Sequence, residues 1–174
     1  METEIEKHNA CYEAVEYRKQ FKTFKEAWEK CHRGDWMLWI ANKEGVDKRL
    51  LTLAKARCAK TVIHLMKDKR SIKAVEVAEA YGNGEASEED LKKAYIAAAA
   101  VYADAAADAA AVYADAAAAY SADTAAYSAD AAAYSAAYSA DVADVARKTN
   151  QLQTANICRE LLTEAIFEKL NIKQ

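Results

Sequence analysis

Between Tyr95 and Ala146 the chain runs for 52 residues, 28 of them alanine, without a proline or a glycine. Alanine is the strongest helix former, so a run of this composition favours helix over every other regular backbone. The phase of the larger side chains agrees. Seven tyrosines stand at 95, 102, 113, 120, 127, 134 and 138, with spacings of 7, 11, 7, 7, 7 and 4. Each spacing returns a side chain to within roughly 40° of its start on a helix of about 3.6 residues per turn. The tyrosines therefore share one stripe. Seven aspartates from Asp104 to Asp144 gather on another side of the same wheel, and Ser121, Ser128, Ser135 and Ser139 flank the tyrosines. A disordered low-complexity tract has no reason to keep that phase.

The stripe has two readings, a packing seam or a ligand-binding surface. Alanine lets helices approach closely, and tyrosine adds area with a hydroxyl that reaches the rim. Exposed apolar stripes usually pack, so the seam is preferred. A straight helix from Leu91 to Ala146 would be about 84 Å long at about 1.5 Å per residue. A compact domain of this size is only about 40 Å across. The segment either projects and pairs with a second copy, or folds back as a hairpin near Tyr120-Ser121-Ala122-Asp123-Thr124. Fold-back lets the last helix return and bury its leucines, and it is the expectation taken here.

No proline and only four glycines occur in 174 residues, which predicts one all-α domain built as a multi-helix bundle. It divides into an amino-terminal helical body (1–84), the alanine-rich segment (85–148) and a closing amphipathic helix (149–174). In the body, residues 3–20 predict a first helix with Ile5, Tyr12 and Val15 on one face. Thr23 and Glu26 form a capping box for a second, and Gly34 suits the left-handed residue that would stop it. Asp35 and Asp47 are placed to cap the third and fourth. Leu50, Leu51, Ala54, Cys58, Thr61, Val62 and Leu65 recur at helical spacing in the fourth, and Ile72, Val75 and Ala78 in the fifth. Tyr81-Gly82-Asn83-Gly84 reads as a loop, with Ser87 opening the next helix. The closing helix, about 150–170, puts Leu152, Ala155, Cys158, Leu161, Leu162, Ile166 and Leu170 on one stripe.

Charge is unevenly placed. From Glu85 to Ala146 eleven acids face Lys92 and Lys93, a balance of −9 that leaves +6 for the rest of a chain of total −3. Seven aspartates over about 60 Å of helix are sparse beside one charge per roughly 1.7 Å of duplex DNA, which disfavours mimicry of nucleic acid. A total charge of −3 does not by itself imply a nucleic-acid binder. METEIEKHNA has no apolar run behind a basic patch, and aspartates interrupt the longest apolar stretch, so neither a secretory signal nor a membrane span is expected. Cys11, Cys31, Cys58 and Cys158 form no CxxC pair and read as reduced thiols in a cytoplasmic protein. His8, His32 and His64 have no metal-ligand spacing, and no phosphate loop or serine nucleophile motif occurs. No enzyme activity, metal or cofactor is expected.

Candidate contacts lie in the body. Trp28, Arg33, Asp35, Trp36 and Trp39 cluster in sequence, and Arg49 and Arg57 follow on the fourth helix. Arginine beside tryptophan suits an anionic or aromatic ligand, such as a small nucleotide-like molecule. The simpler reading, preferred here, is helix caps and buried arginine–aspartate pairs that fix the turns.

The run Ala27-Trp28, Cys31, Arg33-Gly34-Asp35-Trp36-Met37-Leu38-Trp39 resembles the opening of an alanine-rich family of immunity proteins, the fifth numbered group linked to polymorphic toxin systems, with relatives in phages and prophages. The likeness continues through Asp47, Arg49, Ala54, Ala56-Arg57-Cys58-Ala59, Asp68 and Arg70-Ser71. It extends over Ala74-Val75, Ala78, Tyr81, Gly84 and Ala86-Ser87, and a closing helix like Arg147 to Leu162 follows the alanine-rich part. The chain departs from the family in lacking prolines near its end and in carrying Tyr-Ser pairs where relatives show other aromatics. The resemblance implies an all-helical fold and a protein that neutralises a toxin or immune effector by binding it, with a protein partner and possible self-association.

Overall fold

The computed structural model describes residues 3–103 and 140–172, and every regular element among them is helical. In chain order these are a 3-10 turn (Glu6–His8), α1 (Tyr12–Lys19), α2 (Phe24–Lys30), α3 (Gly34–Lys43), α4 (Lys48–Lys60), a second 3-10 turn (Ile63–Leu65), α5 (Lys69–Gly82), α6 (Glu88–Ala103) and α7 (Ala140–Lys169). The expected all-α bundle is observed. No helix among the described residues is long and apolar enough to cross a membrane. The tyrosine and aspartate stripes between 104 and 139, and the choice between hairpin and projecting rod, lie outside the described residues.

Local sequence chemistry sets most boundaries. Glu26 N donates to Thr23 Oγ1 at 3.1 Å while the Glu26 carboxylate accepts from the Thr23 N–H, which completes the expected capping box. Asp47 accepts from Leu50 N at 3.0 Å and Ser87 from Asp90 N at 3.1 Å. Gly45 (φ 70) follows α3 and Gly84 (φ 82) follows α5, left-handed positions that glycine adopts without strain.

Several expectations need correction. α4 stops at Lys60, so Leu65 falls in the 3-10 turn beyond it. Tyr81 and Gly82 end α5 rather than form a loop, and the closing helix begins at Ala140 rather than near 150. The first helix does not run from 3 to 20, because Asn9 turns left-handed (φ 57) and separates the 3-10 turn from α1. Tyr12 is consequently 75 % exposed, and α1 buries Ala14 and Arg18 instead. Gly34 does not stop α2. It is the first residue of α3, at the place where α7 crosses. Asp35 does not cap α3 either; the cap position belongs to Arg33, and Asp35 is the second residue of the first turn.

The core is built around α7, which packs on α3 and α4 and touches α2. Ala155, Cys158, Leu162 and Ile166 are completely buried and Phe167 nearly so. Covering the last three contributes about 1.5–3 kcal/mol each. Leu152 is half exposed, against expectation; it stands roughly 80° around the helix from Leu162, at the edge of the buried stripe. The other face of α4 receives α5, and α6 packs on α5 around Ala56, Ala78, Tyr81 and Leu91. The order across the molecule is therefore α7 with α3, then α4, α5 and α6.

Candidate functional site: an aromatic and arginine face on α1, α2 and α3

α2 ends at a corner, Cys31-His32-Arg33, that α7 holds in place. Arg159 Nη1 donates to Cys31 O at 2.6 Å, a carbonyl that the end of α2 leaves open, and more loosely to Trp28 O at 3.5 Å, which also accepts from Cys31 N. Trp28 points inward, 3 % exposed, stacked on Phe24 and donating its Nε1–H to Thr163 Oγ1 at 2.9 Å. The corner is thus fixed to the closing helix from both sides.

On this support the next side chains gather at the surface, His32 and Asp35 exposed and Tyr17, Phe21, Arg33, Trp36 and Trp39 half-buried. Arg33 donates from Nε and Nη2 to Asp35 at 2.8 and 2.5 Å, and its guanidinium lies 4.5 Å over the Trp36 ring. Tyr17 from α1 sits 5.7 Å from both Trp36 and His32 and 5.0 Å from Phe21. Lys30 Nζ stands 5.6 Å from the Phe21 ring, and Trp39 meets the edge of His8. Tyr17 donates its hydroxyl to Ala27 O at 3.3 Å. Burial, with the neighbouring Cys31 thiol, pushes its pKa up to about 12, so it stays a neutral phenol. Aromatic pairs and an arginine laid on a tryptophan each order the surface before any partner arrives.

Of the seven candidate residues, the structure brings Trp28, Arg33, Asp35, Trp36 and Trp39 to this corner. Arg49 and Arg57 go elsewhere. Arg49 stacks 4.3 Å over Tyr81 and donates to Tyr81 O at 2.7 Å. Arg57 lies 3.8 Å from Glu79, which also accepts from Lys60 at 2.6 Å. Both lace α4 to α5. Tyr17, Phe21 and Lys30 escaped the sequence reading. Tyr17 and Phe21 do stand four apart, but a helix through residue 20 was expected there, and nothing local marks Arg159.

Arginine stacked on tryptophan beside further rings suits recognition of a partner surface or ligand. The cavity beneath the aromatic corner holds about 50 Å³, far below the ~300 Å³ at which pockets begin to enclose a small ligand. No cluster of three metal-ligating side chains occurs among the described residues. The thiol of Cys31 is pushed up by burial, and that of Cys158 well up by a hydrogen bond with Cys58 and by burial. Buried neutral thiols are poor nucleophiles.

Fold and face together define a helical bundle with a pre-ordered aromatic–arginine surface. No known protein family, curated protein or solved structure matches the chain.

Proposed function

We propose that this chain is a non-enzymatic binding protein that neutralises a toxin or an immune effector by covering it, as an immunity or phage counter-defence protein does. The observation that carries the reading is Arg33 laid on Trp36 beside Tyr17, Phe21 and His32. Tryptophan, tyrosine and arginine dominate the energetics of protein interfaces. Rings already fixed against each other lose little freedom on binding. The electrical division of the chain, −9 against +6, adds steering toward a charged partner. Free thiols buried in the core suit a cytoplasmic site of action.

Sequestration of a nucleotide-like ligand by these arginines has less support, since Arg49 and Arg57 face α5 and the cavity beneath the aromatic corner holds about 50 Å³. The test of the leading reading is co-expression with candidate toxin genes, those encoded beside this chain first. Rescue of growth and co-purification are expected. Trp36→Ala with Arg33→Ala should abolish both while leaving the circular dichroism spectrum unchanged. Absence of rescue and of co-purification in the wild type sinks the proposal.

A further inference from the structure

Residues 3–9 lie as a strap across an apolar groove on α1, α2 and α3. Ile5 is its anchor, 7 % exposed, seated among Tyr17, Phe24, Trp36, Met37, Trp39 and Ile40 and leaving about 50 Å³ unfilled. The strap keeps its backbone hydrogen bonds to itself. Glu6 N donates to Thr3 O, His8 N and Ala10 N to Ile5 O, and Asn9 N to Glu6 O, at 3.0–3.4 Å. No backbone hydrogen bond among the described residues joins it to the helices below. It is tied down by side chains instead. Glu4 accepts from Arg18 Nε and Nη2 at 3.1 and 3.3 Å, and Glu44 accepts from Lys7 and His8 at 2.8 and 2.9 Å. Lys19 stands a looser 3.7 Å from Glu6. Asn9, left-handed at φ 57, is the bend where the strap meets α1.

We propose that the strap is a displaceable plug, and that the groove takes a segment of a partner protein with the same chemistry: an acid, then a large apolar residue, then a base. The inference rests on the protein-binding reading above for the existence of that partner. The strap itself is the template. Arg18 is buried to 8 % exposure, so whatever covers it must bring a carboxylate, because a buried guanidinium without one is strongly disfavoured. The Glu44 side chain, 10 % exposed, asks for a cation on the same ground. Between them the groove asks for an apolar anchor, and the unfilled volume favours one larger than Ile5. Displacing the strap breaks no backbone hydrogen bond to the body, so the exchange replaces like contacts with like.

The test uses full-length protein and a fluorescein-labelled peptide of residues 1–10, read by anisotropy. Glu4→Gln with Ile5→Ser loosens the strap and leaves Arg18, Glu44 and the groove intact. The peptide should bind this variant about tenfold or more tighter than it binds wild type, the plug being a competing occupant. A peptide carrying Ile5→Phe should bind tighter still, and one carrying Ile5→Ser should not bind. In wild-type protein the amides of residues 6 to 10 should exchange with solvent at least about 100-fold faster than those of Leu162 and Ile166, a readout independent of whether the variant folds. Strap amides protected like the core, or a folded variant that ignores the peptide, overturns the plug. If toxin rescue persists in that case, the binding function stands without it; peptide binding without any toxin rescue removes the neutralisation reading and keeps the groove.

Discussion

A methyl group at position 34 would lie 2.5 Å from Thr154 Oγ1 and 2.7 Å from the Thr154 backbone carbon. Backbone cannot yield as a flexible side-chain tip can, so Gly34→Ala must push α7 away from α3. We expect a loss of about 1–3 kcal/mol, the usual cost of overpacking, visible as a drop of several degrees in the melting temperature. A wild-type melt would mean that the two helices are further apart than described. Trp28→Phe asks a different question. It keeps a ring beside Phe24 but removes both the donor to Thr163 and part of the buried ring volume, so about 1–3 kcal/mol should be lost. These two residues also mark what a sequence discloses. Asp47 was legible as a cap because its acceptor and the Leu50 N–H are neighbours in the chain. Gly34 was misread as a helix stop because its reason for being glycine stands 120 residues away. Trp28, Trp36 and Trp39 were legible as a cluster, but nothing local told which would turn inward.

Among the elements, α7 holds the others. Its stripe from Ala155 to Ile166 was readable because spacings of 3 and 4 keep one face of a helix in register. What could not be read was its second contribution, Arg159, whose guanidinium closes the end of α2. Arg159→Met preserves much of the aliphatic stem and removes the donors, leaving Cys31 O without the bond it accepts from Arg159 and Trp28 O with only the Cys31 N–H. The expected cost is about 1–3 kcal/mol, with amide exchange at α2 and the α2–α3 corner accelerating before that of α4. Equal acceleration everywhere would show that Arg159 serves only general stability. The face with Trp36 depends on that corner, so under the binding function proposed above the same substitution should weaken toxin rescue without altering any residue of the face.

For the molecule as a whole, two measurements follow from burial and charge. Cys31, Cys58 and Cys158 are buried and Cys11 is exposed, so a thiol reagent at pH 8 should titrate one group quickly in native protein and four after denaturation. Three fast thiols would contradict the packing of α7. Acid should act through carboxylates held below their ordinary values: Glu6 by the Thr3 N–H, Asp68 by Arg70, Glu88 by Lys48 and Asp90 by Ser87. At Glu44 burial pushes upward, but the hydrogen bonds from Lys7 and His8 outweigh it. Groups whose folded pKa is depressed stabilise the fold above their unfolded pKa and lose that contribution as pH falls through the folded one. The melting temperature should therefore hold between pH 7 and 5 and fall below about pH 4. A fall beginning above pH 6 would point to other groups.

The crossing of α7 over Gly34 has a further consequence, in time rather than in space. A nascent chain emerges in order, and the apolar faces of α3 and α4 (Met37, Ala41, Ala54 and Cys58) have no cover until Ala155 to Phe167 have been made. Closure waits for contacts across more than a hundred residues, a slow step for a helical protein. During that interval the half-made body stays open to any other apolar surface in the cell. The stretch synthesised meanwhile is the one with a balance of −9, and like charge keeps unfinished copies apart.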